Sequence, residues 1–194
     1  MEAALAAHLA RLAEAGLPQA AWAARSRVMA RFAAVAADEV DARAAGAGLA
    51  PERAGEKFLA MAVPLVALAS AAGRDALHDD LATWVVHVGT ALQMINDVLN
   101  AAEDHAAGRP TAVLAWARAD VAAAAAAPNR VRAALVGHPA VDRALDVAAD
   151  AAARSWALAE RHGLPRLAGI AAGVAAQVGR TRERLLGLML GVQA

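Results

Sequence analysis

One stretch limits the fold more than any other, the uninterrupted helical pattern from Asp75 to about Ala107. Leu77, Leu81, Trp84, Val85, Val88, Leu92, Ile95 and Leu99 recur along it at the spacing of a 3.6-residue turn. An apolar side that long has to be covered by other elements, and composition says what kind. Apolar residues make up 59% of the chain but aromatics only 3%, and alanine dominates. Alanine is the strongest helix former, whereas strands draw on aromatic and β-branched residues. Gly and Pro punctuate the rest at intervals suited to helices. The expected fold is all-α, one domain over residues 1–194, an antiparallel bundle of about seven or eight helices.

Taken in order, Glu2–Ala15 reads as a short amphipathic helix ended by Gly16, and Pro18 opens a second that runs to about Ala45. That second helix turns Trp22, Val28, Met29, Phe32 and Val35 inward. Pro51 opens the next, and Pro64 is expected to kink it or to remove one of its hydrogen bonds. Gly89 lets a neighbouring helix approach closely. Beyond Gly108 and Pro110 come Val113–Ala127, a short element after Pro128, and two closing helices, Val141–His162 and Leu167 to about Leu190.

Several classes of function are disfavoured. Nineteen basic residues balance nineteen acidic ones and no basic cluster dominates, so nucleic acid is not an expected partner. Without cysteine there is no disulfide framework, thiolate catalysis or Cys-ligated zinc. No Glu-x-x-His pair marks a ferritin-like centre. The uncharged segment Phe58–Gly73 is interrupted by Pro64 and shorter than the roughly 20 residues of a span. The N-terminus lacks the basic start and apolar run of an export signal, so a cytoplasmic protein outside the membrane is expected.

Chemistry concentrates between Gly89 and Leu114. Asn96, Asn100 and Asp104 are spaced four apart, with Gln93 on the same helical face, while Met94, Ile95, Val98 and Leu99 turn to the core. Such a ridge is either a stripe shown to water or a set of oxygen donors suited to Mg²⁺. Arg109 follows in Gly108-Arg109-Pro110-Thr111, with the planar fork that grips phosphate oxygens. Asp38 and Asp41 lie near the end of the second helix, and Lys57 is the single lysine in an arginine-biased chain.

Gly89, Gln93 and Asn96-Asp97-Val98-Leu99-Asn100 resemble the second aspartate-rich region of the trans-isoprenyl diphosphate synthases, or polyprenyl synthetases. There Gly, Gln and a DDxxD run share one long helix. The same residues are similar to the (N/D)DxxSxxxE triad of class I terpene synthases, read as Asn96, Asn100 and Asp104. The resemblance covers roughly two thirds of the chain, from about Val35 onward. It implies a terpenoid-synthase-like bundle, Mg²⁺ held by Asn96, Asn100 and Asp104, and catalytic roles for Gln93 and Asp97. It implies that Lys57 and Arg109 bind the diphosphate of an isoprenoid substrate, with Asp38 and Asp41 in the Gln and Asp places of a GQxxD pattern. It also implies a homodimer through Glu2–Ala45, or a heteromer with a full-length synthase.

The chain departs from the family where Asn replaces two aspartates and Phe58 stands in place of a Thr after the Lys. The first DDxxD motif is missing, since residues 1–37 hold only Glu2 and Glu14 as acids. The expectation is a fragment, a wrongly started reading frame or a subunit without its first half, unable alone to condense isoprenoids. The alternatives are a noncatalytic helical partner of a synthase and a plain structural bundle.

Overall fold

The computed structural model describes residues 19–123 and 128–190, and among these there is no strand. The all-α expectation holds. In chain order the helices are α1 (Gln19–Ala44), α2 (Pro51–Glu56), α3 (Ala62–Ala71), α4 (His78–Leu99), α5 (Ala101–Ala106), α6 (Ala112–Trp116), α7 (Arg118–Ala123), α8 (Pro128–Leu135), α9 (Pro139–Arg161) and α10 (Pro165–Met189). Single 3₁₀ turns, Leu59–Met61 and Asp75–Leu77, precede α3 and α4. The expected helix Glu2–Ala15 lies outside the described residues.

The pivot is α4, which packs against α9 along its length and meets α2, α3, α6 and α10 on its other sides. α9 and α10 form an antiparallel hairpin across the turn at His162, Gly163 and Leu164. Between α4 and α9 the core is built from alanines and a few aliphatic side chains: Ala91, Met94 and Ile95 against Ala144, Leu145, Ala148 and Ala152, each 2% exposed or less. Small residues on both helices bring the axes close, which is how an alanine-rich chain fills a core with few aromatics.

The long segment differs from expectation in one place. It is continuous through Gly89 but leaves helical geometry at Asn100, with φ −104° and ψ 7°. The ladder spans the joint through Asn100 N–H to Asn96 C=O at 2.9 Å and Asp104 N–H to Asn100 C=O at 2.8 Å. Pro64 produces no kink, because α3 starts at Ala62 and a proline in the first turn removes only an N–H that has no helical partner. The anticipated helix Val113–Ala127 is divided at Ala117 into α6 and α7 within the described residues. Leu99, expected in the core, is 43% exposed.

Pro51–Ala71 is, among the described residues, the one stretch long and apolar enough to cross a membrane, with 21 residues and mean hydropathy 1.4. It is bent by the turn at Lys57 and Phe58 and the 3₁₀ turn after it, and half of its apolar window is buried by the rest of the fold. Among the described residues it serves as a core segment.

α2 crosses α4 where two glycines meet. A Cβ on Gly89 would lie 2.6 Å from Cδ2 of Phe58 and 2.7 Å from the Gly55 carbonyl oxygen, and a Cβ on Gly55 would collide with the Thr90 hydroxyl and the Val86 carbonyl. The close approach expected at Gly89 is therefore made, backbone to backbone.

Gly to Ala in an open helix stabilises by about 1 kcal/mol, whereas forcing extra volume into a packed contact costs about 1–3 kcal/mol. We predict that Gly89→Ala lowers stability in urea denaturation despite the gain in propensity. Gly173→Ala, in α10 where nothing lies within 4 Å of the added carbon, should raise it by about 1 kcal/mol. A stabilised Gly89→Ala protein would contradict the crossing.

Candidate functional site

The glycine crossing carries Lys57, at the end of α2, to the side of α4 that presents Gln93 and Asp97. These three line a cavity of about 40 Å³ together with Glu39 and Arg43 of α1 and the chain at Pro110–Ala112. Its volume suits a few water molecules and not an isoprenoid chain. Gly48 lets the α1–α2 connection lie against this wall, since a Cβ there would sit 2.8 Å from the Thr111 carbonyl carbon.

Two polar groupings face each other across it. On one side the Glu39 carboxylate bridges two cations: its Oε1 lies 3.1 Å from Lys57 Nζ and 3.3 Å from a terminal nitrogen of Arg43. Lys57 and Glu39 are about one-quarter and one-third exposed, so the pair is partly shielded from water. On the other side Gln93 donates through Nε2 to Asp97 Oδ1 at 2.6 Å, and the Ala112 N–H reaches Oδ2 at 3.4 Å. Asp97 is 3% exposed. Burial raises its carboxyl above the ordinary value, against the opposing influence of the Gln93 and Ala112 bonds and of nearby Lys57.

The structure brings together Lys57, Gln93 and Asp97 and leaves the other expected residues elsewhere. Asn96 is exposed, and its Oδ1 accepts from Asn100 Nδ2 at 2.7 Å. Asp104 is 7% exposed and engaged by Arg109, whose Nε and terminal nitrogen lie 2.7 and 2.6 Å from its Oδ1. Along the ridge of Asn96, Asn100 and Asp104 the two amides are thus bonded to each other, while the carboxylate is held by an arginine. Among the described residues no three His, Asp or Glu side chains gather as a group that could hold a metal ion. Arg109 does not line the Lys57 cavity, and Thr111 caps α6 by accepting from the Leu114 N–H at 3.3 Å. The Gly108–Thr111 segment therefore serves local structure, with Gly108 at φ +64° turning the chain out of α5.

Asp38 and Asp41 also fall outside the cavity. Asp38 pairs with Arg53, and Asp41 is exposed. The acid that enters is Glu39, between them. Two signals in the sequence could have found it: Glu39 follows the fully buried Val35 by four residues on one face, and it precedes Arg43 by four in the spacing of a helical ion pair.

A second cluster joins Ser70, Asp75 and His78. Ser70 Oγ lies 2.6 Å from Asp75 Oδ1 and 2.8 Å from His78 Nε2, and that same Nε2 is 3.2 Å from Asp75. A nucleophilic triad needs the acid on the opposite ring nitrogen from the serine. Here both meet one nitrogen, so the cluster serves to tie the end of α3 to the start of α4.

Because its carboxyl titrates at higher pH in the folded chain than its ordinary 3.8, Asp97 favours folding below that value and loses this contribution as pH rises through the folded pKa. Asp97→Asn should therefore gain melting temperature on the wild type as pH rises from about 4 toward neutrality. A constant difference across that range would show that burial does not dominate at Asp97.

Compared with protein-family models, with curated proteins and with solved structures, the chain matches none.

Proposed function

We propose that this chain is an isoprenyl diphosphate synthase-like helical subunit that holds the diphosphate of a ligand at Arg43 and Lys57 and does not itself transfer a prenyl group. One observation carries the reading: Lys57, Gln93 and Asp97, given separate roles by the resemblance, line the same polar cavity. Glu39 supports it further. Its carboxylate lies between two cations, where an oxyanion of a ligand would be held. A diphosphate enters by displacing that side chain, and Gln93 and the buried Asp97 are placed to donate to its oxygens, Asp97 when protonated.

The second reading is a Mg²⁺-dependent prenyltransferase acting on an isoprenoid diphosphate, with Gln93 and Asp97 catalytic. It is favoured by their position beside Lys57. The noncatalytic reading is preferred because Asp104 and Arg109 are taken up by each other, and the amides of Asn96 and Asn100 likewise. A cytoplasmic location and a homodimer, or a heteromer with a full-length synthase, belong to the same proposal. For such a contact α1 offers Val40, which is 68% exposed; residues 2–18 of the expected interface lie outside the described residues.

Calorimetric titration with inorganic diphosphate tests the assignment. Glu39→Gln should tighten binding by about tenfold, the scale of one charge-assisted contact no longer contested. Lys57→Ala should abolish binding. Asp104→Ala should leave it unchanged while lowering stability by no more than about 1 kcal/mol, since the Arg109 guanidinium it frees is open to water. Omitting Mg²⁺ should change little. Diphosphate binding that strictly requires Mg²⁺ and is lost in Asp104→Ala would restore the metal ridge, and wild-type affinity in Lys57→Ala would remove the site.

A further inference from the structure

A larger space lies on the far part of the long segment, where α4 passes into α5. It measures about 550 Å³ and is bounded by the α4–α5 joint, α8, the start of α9 and the end of α10. Protein interiors leave few voids larger than a water molecule, whereas ligand sites occupy roughly 300–1,000 Å³. Its floor is dry and aliphatic: Val98, Leu135 and Val141 are each 9% exposed or less. Leu99 and Leu188 at its edge are 43% and 60% exposed, a cost that a covering molecule would relieve.

The charged groups bordering this space are Arg132 and Arg184. Arg132 is paired with Glu103. Arg184 is exposed and has no carboxylate in ion-pair range among the described residues. Asn100 adds an amide at the same mouth. An aliphatic floor with an arginine fork at the opening selects a molecule with a tail and an anionic head. A planar guanidinium matches two oxygens of a carboxylate or of a phosphate, and with Arg132 neutralised by Glu103 the one charge at the mouth left uncompensated among the described residues suits the singly charged carboxylate. A second copy fits poorly, because a two-fold contact centred on this mouth would set arginine against arginine.

We infer that this space is a binding site for a single-tailed carboxylate, with the alkyl chain against Val98, Leu135 and Val141 and the head at Arg184. The site is separate from the Lys57 cavity and does not rest on the function proposed there. It accounts for the exposure of Leu99 and Leu188, which packing leaves unexplained.

The test titrates the full chain with octanoate, decanoate, 1-decanol, decyl phosphate and acetate, following methyl resonances of Leu135 and Val141 by NMR. Decanoate should shift those methyls and bind more tightly than octanoate, by up to about fourfold per methylene, while acetate gives no shift. Arg184→Ala, at an exposed position, should weaken decanoate by about tenfold and leave 1-decanol unchanged. Equal affinity for decanol and decanoate, or tighter binding of decyl phosphate, would overturn the carboxylate assignment. Absence of shifts at Leu135 and Val141 would overturn the site, as would a dimer in sedimentation that buries Leu188 and excludes decanoate.

Discussion

The contact on which the rest depends is the crossing of α2 over α4 at Gly55 and Gly89, where the backbones come close and the Phe58 ring and Thr90 hydroxyl fill the space a Cβ would take. α2 has only six residues and could not hold a helix alone, since nucleation is costly and isolated helices below about 12 residues are marginal. Its stability comes from contact with α4, and Pro51 at its first position supplies a preset φ. Once α2 is seated, Lys57 has one place to go. It emerges two residues beyond the crossing, toward the part of α4 that carries Gln93 and Asp97.

α1 is then locked by charge. Arg31 reaches Glu56 at 2.9 Å, Arg53 takes Asp38, and Glu39 takes Lys57. Singly, exposed pairs of this kind contribute about 0–1 kcal/mol each. As a set they fix the register of α1 against α2, and so decide that Glu39 enters the cavity while its neighbour Asp38 does not. The buried Asp97 works in the other direction: its carboxyl holds Ala112 and the start of α6 against α4. The same few groups that close the fold thus furnish the donors and acceptors of the candidate site.

Much of the architecture was legible in the residues. The helical class followed from alanine and the spacing of Leu81, Trp84, Val85 and Val88, and the close approach at Gly89 from a glycine within an otherwise apolar helix. What could not be read was rotation and termination. Asn96, Asn100 and Asp104 share a helical spacing, but the helix ends at Asn100 and Arg109 captures Asp104, so a ridge in sequence becomes an amide pair and a separate ion pair. Likewise the pattern around Asp38, Glu39 and Asp41 held three acids within one turn. Only the seating of α2, a contact between residues more than thirty apart in the chain, shows which of them meets Lys57.

Native-state hydrogen exchange at the crossing tests this account most directly. The Ala54 and Phe58 N–H groups donate to Ala50 and Gly55 carbonyls at the two ends of α2. If the crossing with α4 holds the fold together, these amides exchange only through global unfolding, with the same free energy as the Met94 and Ile95 amides of α4. Exchange of Ala54 and Phe58 through a local opening, while Met94 and Ile95 stay protected, would show that α2 is an appendage, and the placement of Lys57 would lose its foundation.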